Sequence, residues 1–194
     1  MQQFFSAVDL LGMLLTEPRI VCLMLLLMTA AVIDYRTFRI PNWLTFFGTT
    51  IGLIVNTIMP TMLHQGFWWA ATGLLIGFAV ALPLYLLRVM GAGDVKLIAM
   101  IGAFLGASGT FYAVLCIFIT GGVAAVLFAL TRKLFSPMLV NVKAVLQQAV
   151  LSGIGGMTPA LDLKASQSVG KLPYGVSIAT GTVFYIVANQ LGFF

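Results

Sequence analysis

The chain has 194 residues, of which 61% are hydrophobic and 8% are charged, and its mean hydropathy is +1.09. A soluble domain carries about 25% charged residues, so this composition excludes a soluble globular protein and predicts an integral membrane protein. The net charge of +5 comes from Lys and Arg residues that stand singly or in pairs at the ends of apolar runs, which excludes a basic nucleic-acid-binding surface.

The first segment, Met1 to Thr16, predicts a helix that lies at the membrane surface. No Lys or Arg precedes Arg19, so the segment lacks the basic start of a secretory signal peptide. Its apolar residues instead recur at helical spacing, which is typical of an interfacial helix. These residues are Phe4, Phe5, Val8, Leu11 and Leu15.

Six apolar runs predict six transmembrane helices in one all-α membrane domain spanning residues 1–194, since each span needs about 20 apolar residues. The fourth run is short, and its Gly102 and Gly106 predict a helix that packs closely against protein rather than lipid. Glycine pairs at 48 and 52 and at 73 and 77 predict further close helix contacts. The runs cover 18–35, 43–59, 67–90, 95–108, 110–131 and 173–192.

The basic residues predict the orientation, because Lys and Arg concentrate in cytoplasmic loops. If the first span runs from outside to inside, nine of the ten basic residues lie inside and only Arg19 lies outside. The turns at 35–42 and 91–94 then share the cytoplasmic face. The stretch 132–172 also lies inside, with an amphipathic surface helix at about 137–151 and a Gly- and Ser-rich loop at 152–172.

Two of the five acidic residues, Asp34 and Asp94, are expected at membrane depth near the cytoplasmic face, where an ionisable group is costly and by default indicates function. Each has a structural alternative. Asp94 follows Gly-Ala-Gly at a helix start, where Asp is a common N-cap. Asp34 ends a helix, where the dipole disfavours a carboxylate, and an ion pair with Arg39 is its alternative.

The functional interpretation is a pair of aspartates that share a proton and hold a water molecule. One carboxylate acts as the general base, while the other polarises the scissile carbonyl and protonates the leaving amine. The single histidine, His64, and the isolated Cys22 and Cys116 supply no Ser-His pair, thiol centre or metal site. Aspartyl chemistry is therefore the hydrolytic mechanism that this sequence favours.

Three segments resemble the type IV prepilin peptidases, which are intramembrane aspartyl proteases of the GxGD type: DYRTFRIPNWLT at 34–45, GAGDVKLIAMIGAFLG at 91–106 and LPYGVSIATGT at 172–182. The resemblance implies that Asp34 and Asp94 are the catalytic pair. It implies a prepilin or pseudopilin substrate with a basic leader and a hydrophobic helix, cut at the cytoplasmic face of the bacterial inner membrane. It also implies site-shaping roles for Pro41, Asn42, Gly91, Gly93, Lys96, Tyr174 and Gly175.

Lys96 has two interpretations: it orients the Asp94 turn, or it extends to the lipid headgroups, and the second is favoured. Longer members of the family carry a cytoplasmic insertion with a zinc-binding cysteine tetrad and a methyltransferase activity. Here seven residues separate Asp34 from Asn42 and there is no cysteine tetrad. We therefore expect neither zinc nor S-adenosylmethionine as a cofactor.

The compact form is most similar to the short peptidases of Tad (Flp) pilus systems. An archaeal preflagellin peptidase is a related alternative, and the presenilin-like proteases fit less well. Two alternatives come from other classes. In a small transporter, Asp34 and Asp94 would bind a proton or a cation. In a non-catalytic pilus or secretion assembly subunit, the glycine-rich faces would serve as interfaces.

Overall fold

The computed structural model describes residues 17–58, 66–87, 89–131, 143 and 173–193. In these ranges the regular structure is entirely helical, which confirms the predicted all-α class. Outside them lie the predicted interfacial helix at 1–16, His64, the loop at 152–172 and, apart from Lys143, the predicted surface helix at 137–151. The described helices are α1 (Pro18–Thr37), α2 (Asn42–Ile58), α3 (Phe67–Leu86), α4 (Ala92–Thr131) and α5 (Tyr174–Gln190).

Three of the described helices, α1, α3 and α4, are long and apolar enough to cross a membrane. The other two, α2 and α5, have 17 residues each. Several large apolar side chains lie exposed on each of α1 to α4, and Phe184 lies exposed on α5, as expected for surfaces that face lipid rather than water. The chain is therefore a helical membrane protein.

Helix α4 is broken at Gly106, where φ is 69° and ψ is −177°. A straight helix of its 40 residues would be about 60 Å long, roughly twice the hydrocarbon thickness of a bilayer. The sequence placed this division at 108–110. The break lies at Gly106 instead because the Trp69 indole occupies the space where a Cβ would stand, and because only glycine readily adopts this positive φ.

Contacts on either side of Gly106 show that the two segments of α4 run in opposite directions. Before the break, α4 starts beside Tyr174, since Ala92, Asp94 and Tyr174 line one cavity, and Gly102 farther along packs on the backbone of Gly73 in α3. After it, Gly109 lies against Tyr185 and Gly121 lies against Tyr174, at opposite ends of α5. The two segments correspond to the fourth and fifth apolar runs of the sequence.

The first segment of α4 forms the centre of the molecule. Nearly every residue from Val95 to Phe104 is buried, and the segment packs against protein on all sides, as its small-residue pair predicted. The glycine pair of α2 contacts it as well: Gly48 lies against Met100, and Gly52 lies against the Phe104 ring. These close contacts fix the start of α4 relative to its neighbours, and the candidate site lies at that start.

Candidate active site

Asp34 and Asp94 line one cavity of about 400 Å³. Asp34 comes from the last turn of α1 and Asp94 from the first turn of α4. Tyr174, the first residue of α5, also lines the cavity. The cavity is lined by Asp34, Phe38, Arg39, Ile40, Gly91, Ala92, Gly93, Asp94 and Tyr174.

The Asp34 carboxylate is held by the start of α5. Its side chain is buried, and its Oδ2 accepts a 2.7 Å hydrogen bond from the Gly175 N–H. Gly175 is the second residue of α5, so the carboxylate lies at a helix N-terminus, where the dipole favours negative charge. Among the described residues, one ion pair is present, and it joins Arg19 to Glu17. Asp34 and Arg39 therefore form no ion pair. The ion-pair alternative for Asp34 is therefore wrong.

The backbone around Asp34 turns sharply towards the cavity. Helix α1 ends at Thr37 and is capped by Phe38, which has a left-handed conformation with φ of 51°. The Phe38 N–H donates to the Asp34 carbonyl oxygen over 2.8 Å. This cap directs Arg39 and Ile40 along the cavity wall. As a result, the residues that follow Asp34 contribute to the same site.

The Asp94 carboxylate is held by its own turn. Its Oδ2 accepts a 3.0 Å hydrogen bond from the Gly91 N–H, and its N–H donates to the Gly91 carbonyl oxygen over 3.1 Å. Because α4 begins at Ala92, Asp94 is its third residue and reaches back to a helix-start N–H as in a capping box. Asp94 is therefore not the N-cap residue, and that alternative is wrong. Its side chain nevertheless accepts the Gly91 N–H at the start of the helix.

Two contacts join the Asp34 segment to the Asp94 turn. Ile40 is buried against Gly93, where an added Cβ would lie 3.1 Å from the Ile40 Cβ. Lys96 Nζ donates a 2.8 Å hydrogen bond to Asn42 Oδ1. Gly93 therefore has a packing reason to be glycine, and Lys96 has a defined protein partner.

Of the remaining predicted site residues, Tyr174 lines the cavity, whereas Gly175 and Pro41 lie outside its lining. Tyr174 lines the cavity, and its hydroxyl packs on Gly121 of α4, 2.8 Å from the position of an added Cβ. Gly175 binds Asp34 through its backbone. Pro41 does not line the cavity; its carbonyl oxygen accepts the Leu44 N–H at the start of α2.

Sequence reasoning missed four residues that line the cavity: Phe38, Arg39, Ile40 and Ala92. A signal for three of them was present, because a connection of only seven residues between Asp34 and Asn42 keeps everything between them near the carboxylate. Within the described part of the chain, no group of three or more His, Cys, Asp or Glu residues is placed to hold a metal ion. The expected absence of zinc and S-adenosylmethionine stays a prediction.

A sequence model of the type IV leader peptidase family matches residues 21–130, more than half of the chain. The matched range contains both cavity aspartates and ends before α5. Searches of curated proteins and of solved structures gave no match.

Proposed function

The chain belongs to the type IV leader peptidase family, and on this premise we propose that it is an intramembrane aspartyl endopeptidase that removes the leader from prepilin-like precursors. One observation carries the aspartyl assignment: the carboxylates of two motifs that lie 60 residues apart in sequence line one cavity. Each carboxylate accepts a backbone N–H rather than pairing with a cation. Oxygen atoms of both side chains thus remain available to a water molecule and a substrate.

The chemistry follows from two carboxyl groups that share one proton. The ionised carboxylate takes a proton from water, and the resulting hydroxide attacks the carbonyl carbon of the scissile peptide bond. The protonated carboxyl group donates a hydrogen bond to the carbonyl oxygen and then gives its proton to the leaving nitrogen as the C–N bond breaks. The products are a leader with a new carboxyl group, which loses its proton to water, and a mature chain with a new amine. The two aspartates have then exchanged protonation states, and transfer of the proton back restores the pair.

The distribution of basic residues supports a reaction at the cytoplasmic face of the bacterial inner membrane. Arg36, Arg39 and Lys96 lie at the end of the helices that carries the two aspartates, whereas Arg19 lies at the opposite end of α1. Such a bias is typical of a cytoplasmic membrane face. We extend this arrangement to six spans by assigning α2, α5 and both segments of α4 to the membrane alongside α1 and α3.

The site and its setting support the proposed substrate class. A carboxylate pair at the membrane boundary suits a precursor that has a basic leader in the cytoplasm and a hydrophobic helix in the lipid. The short connection between Asp34 and Asn42 leaves no space for a separate cytoplasmic domain there, and this favours a Tad (Flp) type prepilin as the substrate. The reaction described above needs neither S-adenosylmethionine nor zinc.

The test is cleavage of a co-expressed Tad-type prepilin by the wild type, Asp34→Asn and Asp94→Asn, read by gel mobility and N-terminal sequencing of the product. We expect the wild type to cut at the leader boundary and both variants to be inactive. Glu17→Gln is the matched control, because it also neutralises an acid but lies at the opposite end of α1, where its partner is Arg19. This control should cleave normally.

Membrane levels and thermal unfolding in detergent establish that the inactive variants are folded. Cleavage that persists in either Asn variant would remove that carboxylate from the mechanism. A wild type that cuts none of several prepilins would overturn the proposed substrate and favour the transport or assembly alternatives.

A further inference from the structure

Lys96 lies two residues after Asp94 but forms no ion pair with it. Its ammonium group extends to the first turn of α2, where Nζ lies 2.8 Å from Asn42 Oδ1 and 5.5 Å from the centre of the Phe46 ring. Residues at i and i+2 of a helix do not face each other, so this direction follows from the position of Lys96 in α4. A charge-assisted hydrogen bond and a ring face together hold the ammonium group on α2.

A second contact between the same two segments lies closer to the cavity. Ile40 packs on Gly93, the residue before Asp94. Ile40 belongs to the stretch that connects Asp34 to α2, and Asn42 is the first residue of α2, while Gly93 and Lys96 stand on either side of Asp94. The connection that leaves Asp34 is thus joined to the Asp94 turn at two points.

We infer that Lys96 is a positioning residue, which acts through Asn42 to hold the connection after Asp34 against the Asp94 turn and so sets the relative position of the two carboxylates. This inference rests on the proposed function, because it assigns a role in the same site. A cation placed directly on Asp94 would favour its charged form and oppose a shared proton. A lysine bound to Asn42 instead supplies the attachment without neutralising either carboxylate.

Kinetics with a prepilin peptide test whether Lys96 and Asn42 act as one unit. Lys96→Met and Asn42→Leu keep side-chain size but remove the donor or the acceptor, and each should lower kcat about tenfold or more because a small misplacement of reacting groups is costly. KM should change less than about twofold, because neither side chain lines the cavity. The double variant should lose no more than either single variant. Lys96→Arg, which keeps a donor, should retain most of the activity.

A second measurement reports position without using catalysis. In a background with Cys22→Ala and Cys116→Ala, the pair Ile40→Cys and Gly93→Cys should form a disulfide after a small local shift, because the two Cβ positions lie 3.1 Å apart and a disulfide needs about 3.5–4.5 Å. Adding Lys96→Met should slow this cross-linking about fivefold or more, since the connection is then held at one point only. Lys143→Met, which removes an exposed lysine elsewhere in the chain, should leave both cross-linking and kcat unchanged.

The outcomes separate this inference from the proposed function. If the wild type cuts no prepilin, the proposed function fails, and the cross-linking rate alone decides the positioning role. Unchanged cross-linking in Lys96→Met overturns that role, even where kcat falls, because Lys96 would then act on the substrate directly. Additive losses in the double variant also overturn it.

Discussion

The Gly175 N–H donates a 2.7 Å hydrogen bond to the Asp34 carboxylate, between residues that are 141 positions apart in the chain. This bond attaches the start of α5 to the end of α1 and fixes one oxygen of the pair. A Cβ at Gly175 would lie 2.9 Å from both Oδ2 and Cβ of Asp34. The approach is so close that any other residue at this position must displace the carboxylate.

Gly175→Ala should therefore lower kcat/KM about tenfold or more while the protein stays folded, because the added methyl group moves Asp34 away from its position relative to Asp94. Gly122→Ala is the matched control: it makes the same change within α4 at a position where a Cβ meets nothing within 4 Å. The measurement is peptide cleavage by both variants, together with thermal unfolding in detergent. Equal activity in the two variants would show that the site tolerates movement of Asp34.

The Tyr174 ring gives a second steric test of the cavity wall. Gly121→Ala places a methyl group 2.8 Å from the Tyr174 hydroxyl and 3.1 Å from its Cζ, so the ring must move. We expect a severalfold loss of cleavage. Adding Tyr174→Phe to Gly121→Ala removes the hydroxyl oxygen that the new methyl group meets, so it should restore part of the lost cleavage. Absence of any rescue would show that the position of the Tyr174 ring does not affect cleavage. Tyr174→Phe alone supplies the baseline for the comparison.

The helices and the two carboxylates could be predicted from the sequence, whereas their partners could not. Apolar runs give helices, and motif spacing singles out Asp34 and Asp94, because both signals are local in the chain. The bond from Gly175 to Asp34 and the bond from Lys96 to Asn42 depend on how distant helices pack. The break in α4 shows the same limit, since the sequence offers several nearby glycines.

The Trp69 indole packs on Gly106, and we expect this contact to determine the position of the break in α4. Gly106→Ala should destabilise the protein, because its Cβ would meet the Trp69 indole and because φ is 69°. In the Trp69→Ala background the clash with the indole disappears, and about 1–3 kcal/mol of backbone cost should remain, because this φ/ψ region is adopted almost only by glycine. The comparison requires the unfolding free energies of both single variants and of the double variant. If Gly106→Ala costs the same in both backgrounds, Trp69 does not determine the position of the break.

Asn56 lies on α2 like Asn42, but we expect its replacement to affect stability rather than catalysis. It is fully buried, and its Nδ2 donates 2.9 Å hydrogen bonds to the Ala103 and Gly52 carbonyl oxygens. Ala103 precedes the break at Gly106, and carbonyl groups in the last turn of a helical segment lack the usual partner four residues later. Asn56 therefore satisfies a helix end at the side of the molecule far from the aspartates.

Asn56→Leu should lower the free energy of unfolding by about 1–2 kcal/mol, because it leaves the Ala103 carbonyl oxygen without this donor in an apolar core. Cleavage by the folded fraction should stay close to the wild-type rate, whereas Asn42→Leu should lower kcat with little change in stability. Thr57→Val, on the exposed face of the same turn, is the control for loss of a polar group. A large fall in kcat for Asn56→Leu would mean that packing at the break is transmitted along the first segment of α4 to Asp94.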